Sequence, residues 1–163
     1  MEGDLPPRAQ RPGDAIETPE DARQQNEEFW FVRNNLAEAY FAVGRFEDAL
    51  AEAQFARRAS GGHSWVMAIE VACLTQLGRA AEAEALISEL LQRSAEQYVS
   101  TYALAVTYRG VGDLDAAFAW LERAYAARDP GMAFLGVGGW DSVRDRPEYV
   151  DLMRRMGLAE LLQ

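Results

Sequence analysis

The chain has 163 residues, 49% of them hydrophobic, with a formal net charge of -10 and an isoelectric point near 4.6. Such a length and apolar content suit one domain or a short repeat array with tails. The charge, with no basic stripe to offset it, disfavours nucleic-acid phosphates and anionic membrane surfaces as partners.

Residues 1–25 differ from the rest. Pro6, Pro7, Pro12 and Pro19 fall here with Gly3, Gly13 and many charges, and the apolar residues show no period. A flexible tail is expected, tapering into a helix near Ala22 with Thr18-Pro19-Glu20-Asp21 as its N-terminal cap. Such a tail could dock on a partner or on the protein's own groove. Met1-Glu2-Gly3-Asp4 lacks the basic start and apolar run of a secretion signal, and no stretch reaches the roughly 18 apolar residues of a membrane span. A cytoplasmic location with no membrane insertion is the expectation.

From Glu27 onward the chain is rich in Ala, Leu, Glu and Arg, in segments of helical length. Breaks are expected at Gly44-Arg45, Ser60-Gly61-Gly62, Gly78-Arg79, Ser94-Ala95, Gly112-Asp113 and Asp129-Pro130. Nothing alternates as a strand would, so the class is all-α.

Gly44, Gly78 and Gly112 stand 34 residues apart, and their surroundings repeat in step. Seven residues before each glycine come Ala37, Val71 and Ala105, and four before it Tyr40, Leu74 and Tyr108. Five after it comes alanine each time, at Ala49, Ala83 and Ala117, and twelve after it Ala56, Leu90 and Ala124. A glycine can take the left-handed conformation that ends a helix. Alanines where two helices cross must stay small, since overpacking costs roughly 1–3 kcal/mol. The middle unit is weaker, with Glu70 where its neighbours have Leu36 and Leu104.

Period and pattern resemble the tetratricopeptide repeat, a helix-turn-helix unit of this length. "NNLAEAYFAVGRFEDALAEA" and "YALAVTYRGVGDLDAAFAWLERA" carry the resemblance most clearly. It implies three tandem units, about 26–60, 63–94 and 97–129, in a short right-handed superhelix with a cap over 130–163. The stretch from Gln97 to Leu158, including "WDSVRDRPEYVDLMRRMGL", also resembles the terminal repeat and cap of bacterial multidomain regulators. Those carry a kinase, cyclase or winged-helix domain that this sequence lacks. Within the cap, Tyr149, Leu152, Met153 and Met156 share one side of a helix over Pro147–Met156 that should cover the last unit. The glycines of "GMAFLGVGGW" predict a looser cap than in those relatives. Arg144, Arg146, Arg154 and Arg155 make this end locally basic, most simply as solvated charges.

Residue types bearing catalytic chemistry are scarce. All 16 basic residues are Arg, so no phosphate-loop lysine, Schiff base or lysine base is available. His63 reads as a turn residue and Cys73 as a buried small hydrophobe. One cysteine excludes an intrachain disulfide. Gly136-Val137-Gly138-Gly139 lacks a following Lys-Ser or Lys-Thr, and there is no nucleophile elbow or zinc helix motif. No enzymatic role, cofactor or metal is expected.

In tetratricopeptide arrays the first helix of each pair lines the concave face. The resemblance therefore points to Phe31, Asn34, Glu38 and Phe41 in the first unit, Trp65, Ala68, Ala72 and Thr75 in the second, and Val99, Tyr102, Val106 and Arg109 in the third. The Lys, Arg and Asn set that grips a peptide carboxylate is missing. An apolar, aromatic groove for a protein or peptide segment is expected, unless the same residues pack on the chain's own tail or cap. The implied role is an adaptor or scaffold. The alternatives are a structural subunit of a larger assembly or homo-oligomer, and a regulatory module for a separately encoded kinase or cyclase.

Overall fold

A computed structural model describes residues 30–137 and 139–162. The expected tail over 1–25 and the helix start near Ala22 lie outside the described residues. Among those described are seven α-helices: α1 (Trp30–Ala42), α2 (Phe46–Ala59), α3 (Ser64–Gln76), α4 (Ala80–Glu96), α5 (Thr101–Gly110), α6 (Leu114–Ala126) and α7 (Pro147–Arg155). Short 3-10 turns at Pro130–Phe134, Asp141–Val143 and Ala159–Leu162 complete the carboxyl end. None of these helices is long and apolar enough to cross a membrane.

The glycine period becomes one turn built three times. Gly44, Gly78 and Gly112 have φ of 78°, 71° and 81°. The first N–H after each glycine returns to the carbonyl five residues earlier: Arg45 to Tyr40 at 2.9 Å, Arg79 to Leu74 at 2.8 Å and Asp113 to Tyr108 at 3.0 Å. The glycine N–H itself reaches the carbonyl three residues back. These two bonds satisfy carbonyls that a helix end leaves open, and they need a residue that takes positive φ without strain.

Each turn folds the first helix of a pair back on the second, so α1 packs on α2, α3 on α4 and α5 on α6. Ala49, Ala83 and Ala117 are buried at the crossings, as are Ala37, Val71 and Ala105 opposite them. Helix α3 also meets α1, α2 and α5, which makes it the centre of the array. Its sequence fits that position, for it is apolar nearly all round and buries eight of its 13 residues. His63 caps it, its Nδ1 accepting the Trp65 N–H at 3.4 Å. Cys73 is buried there, and burial together with the charge of Glu70 pushes its thiol up to about 12. A thiol so far from ionising is an inert core residue.

Two elements differ from expectation. Helix α4 runs through Ser94 and Ala95 to Glu96, so the break falls at Gln97–Ser100. Ser94 does not stop the helix because its hydroxyl bonds back to Leu91 O at 2.7 Å within the helical turn. The glycine-rich cap is tightly packed rather than loose. Trp140 is 1% exposed, and Leu135 and Val143 are buried beside it. The glycines serve close approach: a Cβ on Gly131 would sit 2.7 Å from Tyr102 Cβ, and one on Gly136 would sit 2.9 Å from Leu161 Cδ1.

The core lies in two parts. One joins α1 to α4 and receives Leu104 from α5. The other joins α5 and α6 to the cap, with Phe118 and Leu121 meeting Trp140, Tyr149, Leu152 and Met153. Most of the arginines of this end are paired: Arg144 with Asp141 at 2.7 Å, Arg146 with Glu148 at 3.1 Å, and Arg155 with Glu122 and Asp151.

Asp129 joins the last unit to the cap. Its carboxylate accepts from the hydroxyls of Ser100 at 3.0 Å and Thr101 at 2.9 Å, and from the N–H groups of Tyr102 at 3.3 Å and Gly131 at 2.8 Å. Burial alone would raise this carboxyl, but those four donors outweigh it and hold it below its usual value. Asp129→Ala is expected to cost about 2 kcal/mol at pH 7, the loss of hydrogen bonds to a charged group. A carboxyl held low stabilises above its unfolded pKa, about 3.9, and loses that contribution as pH falls through the folded value. Urea titrations at pH 7 and at pH 3 check this; a gap that stays constant between them would contradict it.

Candidate partner-binding face

The first helices α1, α3 and α5 lie in a row, since α3 contacts both of the others. Of the twelve residues expected to share a face, α1 carries Phe31, Asn34, Glu38 and Phe41. Helix α3 carries Trp65, Ala68, Ala72 and Thr75, and α5 carries Tyr102, Val106 and Arg109. Val99 sits in the extended link before α5 and is half-buried.

Their exposure divides them. Asn34, Ala68, Ala72 and Tyr102 are buried, and Phe31 and Glu38 are exposed. Phe41, Trp65, Thr75, Val106 and Arg109 lie between these extremes. The row is closest where α3 meets α5, since a Cβ on Gly110 would stand 3.1 Å from the Cβ of Ala72.

The third-unit end of this face is covered by the chain itself. Trp140 donates its Nε1–H to the Tyr102 hydroxyl at 3.1 Å. The Phe134 ring meets Trp65 edge-on at 5.0 Å, and Trp65 lies 5.8 Å from Tyr102. Arg109 stacks its guanidinium over Trp140 at 4.7 Å and donates to Gly139 O. Tyr102 is thus an interior residue, and Trp65 is a wall shared by α3 and the cap. Phe134, Gly139 and Trp140 were not among the residues expected here. They come from a glycine-rich stretch without helical period, and the only hint of them in the sequence was the pairing of aromatics with glycines.

Among the described residues, no cap residue covers the first-unit end in this way. Asn34 donates its Nδ2–H to Glu38 Oε1 at 2.9 Å, and Asn34 Oδ1 is buried with no hydrogen-bond partner. Water reaches Glu38, yet the helices flanking it desolvate its carboxyl and raise it, against the Asn34 bond and the attraction of Arg109. Arg109 is in turn lowered, chiefly by burial, while the nearby Tyr102 and Glu38 favour its charge. Glu38 and Arg109 therefore sense each other from the first and third units. The Thr75 hydroxyl is turned back to Val71 O at 2.9 Å and offers no donor to a ligand.

A cavity of about 510 Å³ lies along another edge, between the loops joining the units, with His63, Trp65, Arg93, Tyr98 and Asp129 in its lining. Its charged groups are already engaged. Arg93 binds Gly62 O at 2.9 Å and Glu89 at 2.6 Å, and Asp129 holds its four donors. Among the described residues no three His, Cys, Asp or Glu side chains gather as a metal site.

Comparison with known families matches the model described as tetratricopeptide repeat over residues 30–54 and 99–123. These stretches begin in α1 and just before α5, and each spans a glycine turn into the second helix of its pair. No curated protein and no solved structure matches the chain.

Proposed function

Because the chain is a tetratricopeptide repeat protein, a protein-interaction module in general, we propose that it is an adaptor that seats a segment of a protein partner on its first-helix face. The observation that supports this most is the uneven filling of that face. Its third-unit end is closed over Tyr102 by Trp140, with Phe134 half-exposed against Trp65, while at the other end Phe31 is 51% exposed and Phe41 is half-buried one turn from Glu38. Exposed aromatics in a trough are favourable anchors, because they bury much area for little lost side-chain entropy. A bound segment would run along the first and second units and stop at the cap.

A photo-crosslinking residue placed at 31 or at 41, in cells, tests the reading. Strong adducts to a common protein are expected from both positions, with little from position 84 on the exposed side of α4. Equal capture from all three would argue against a binding face.

Self-association is the second reading, favoured by Val137 and Leu161, which are 75% and 45% exposed on the cap. Light scattering across a range of concentrations separates the two. A stable dimer that dissociates on Val137→Glu would favour the oligomer.

A further inference from the structure

We propose that the partner segment presents an arginine side chain to Glu38 and Asn34, so that the face selects a cation set among apolar residues. This rests on the adaptor reading above and names the chemistry of its partner.

The first support is a shortage of donors at one point on the face. Glu38 receives a single hydrogen bond among the described residues, from Asn34, and no arginine stands within ion-pair distance of it. Asn34 is 4% exposed, and among the described residues its Oδ1 is a buried polar atom left without a hydrogen-bond partner. Buried acceptors normally have donors, so such an atom beside a carboxylate that holds a single donor marks a place where donors are wanted. The local cation cannot supply them, because Arg109 is directed to Gly139 O and held over Trp140.

Shape and field supply the rest. A guanidinium brings five N–H donors in a plane, so one group can serve a carboxylate in two places and still lie flat on a ring. Phe41 is the ring at hand, one helical turn from Glu38 and half-buried. The chain's charge of -10 draws cationic segments toward it and repels acidic ones. The polarity is the reverse of a basic groove that grips a carboxylate.

The test begins with displayed random dodecapeptides selected on the full chain. Peptides recovered are measured by fluorescence anisotropy against the wild type, Glu38→Gln, Phe41→Ala and Glu84→Gln, the last a control on the exposed side of α4. Melting curves confirm that each variant is folded. Expected are peptides with an arginine flanked by apolar residues, weakened about tenfold or more by Glu38→Gln and unaffected by Glu84→Gln. Lysine in place of the peptide arginine should weaken binding severalfold. If Phe41→Ala weakens binding and Glu38→Gln does not, the arginine inference falls and the face survives. If neither substitution matters, or no peptide is recovered, both readings fall. Should Glu38→Gln fail to fold, Glu38→Arg paired with an arginine-to-glutamate peptide decides the point, since recovered binding supports the pair and continued loss rejects it.

Discussion

Trp140→Ala is expected to destabilise the protein by about 3–5 kcal/mol, the range for deleting a large buried aromatic. Trp140 is 1% exposed and lies between Phe118, at 6.2 Å, and Arg109. Its removal leaves a cavity that α5 and α6 cannot close, because Ala105 and Ala117 fix their crossing. It also leaves the buried Tyr102 hydroxyl without its donor. In a repeat array each unit depends on its neighbours, so the loss should be local. Hydrogen exchange should accelerate over Tyr149–Met153 well before it does over Val66–Leu74. A loss below 1 kcal/mol, or uniform acceleration along the chain, would show that the cap is not one body with the third unit.

Arg57→Met is expected to cost about 3 kcal/mol at pH 7, the lower end for leaving a buried carboxylate without its cation, since Arg57 itself is one-third exposed. Glu70 is 2% exposed in α3, and Arg57 of α2 places its Nε 2.9 Å from Glu70 Oε2 and its Nη1 3.5 Å from Glu89 of α4. One arginine thus ties three helices together. Burial already raises the Glu70 carboxyl, with Arg57 opposing, so without Arg57 it rises further. A carboxyl whose folded pKa lies above its unfolded value destabilises above that folded value and ceases to do so as pH falls through it. The cost of Arg57→Met should therefore shrink on acidification. Asp129→Ala also converges on the wild type in acid, but for the opposite reason, since there the wild type loses a favourable charge. Adding Glu70→Leu to Arg57→Met should restore most of the stability, because an apolar side chain takes over an apolar place. Urea melts of the single and double variants from pH 7 down to pH 4.5 check this. A double variant no better than the single would mean that the helices need the charge itself.

These two sites show where the sequence is legible and where it is not. Glu70 stands where the neighbouring units have leucine, which made the middle unit look the weakest. The departure is compensated from α2 by Arg57, which also reaches Glu89 of α4, and such compensation follows no repeat spacing. On the candidate face, counting from the glycines identified the stripes on α1, α3 and α5, because a helical period is a local property. It could not show that Tyr102 is buried under Trp140, 38 residues further on. Val99 fell off the helix for a local reason that was easy to miss: α4 persists to Glu96, and Ser100 then starts α5 by accepting the Ala103 N–H at 3.2 Å.

By itself, then, the amino-acid sequence determined the helical class, the 34-residue unit, the three glycine turns and the alanine crossings. Each of these follows from backbone conformation or side-chain size within one unit, and the unit repeats. Tertiary structure alone decided which part of the first-helix face the cap covers. The cap meets α3 and α5 through contacts such as Phe134 on Trp65 and Trp140 on Tyr102 and Arg109, whose partners lie far apart in the chain. Only folding brings them together, and among the described residues the other end of the face carries the half-exposed Phe31 and the under-donated pair of Asn34 and Glu38.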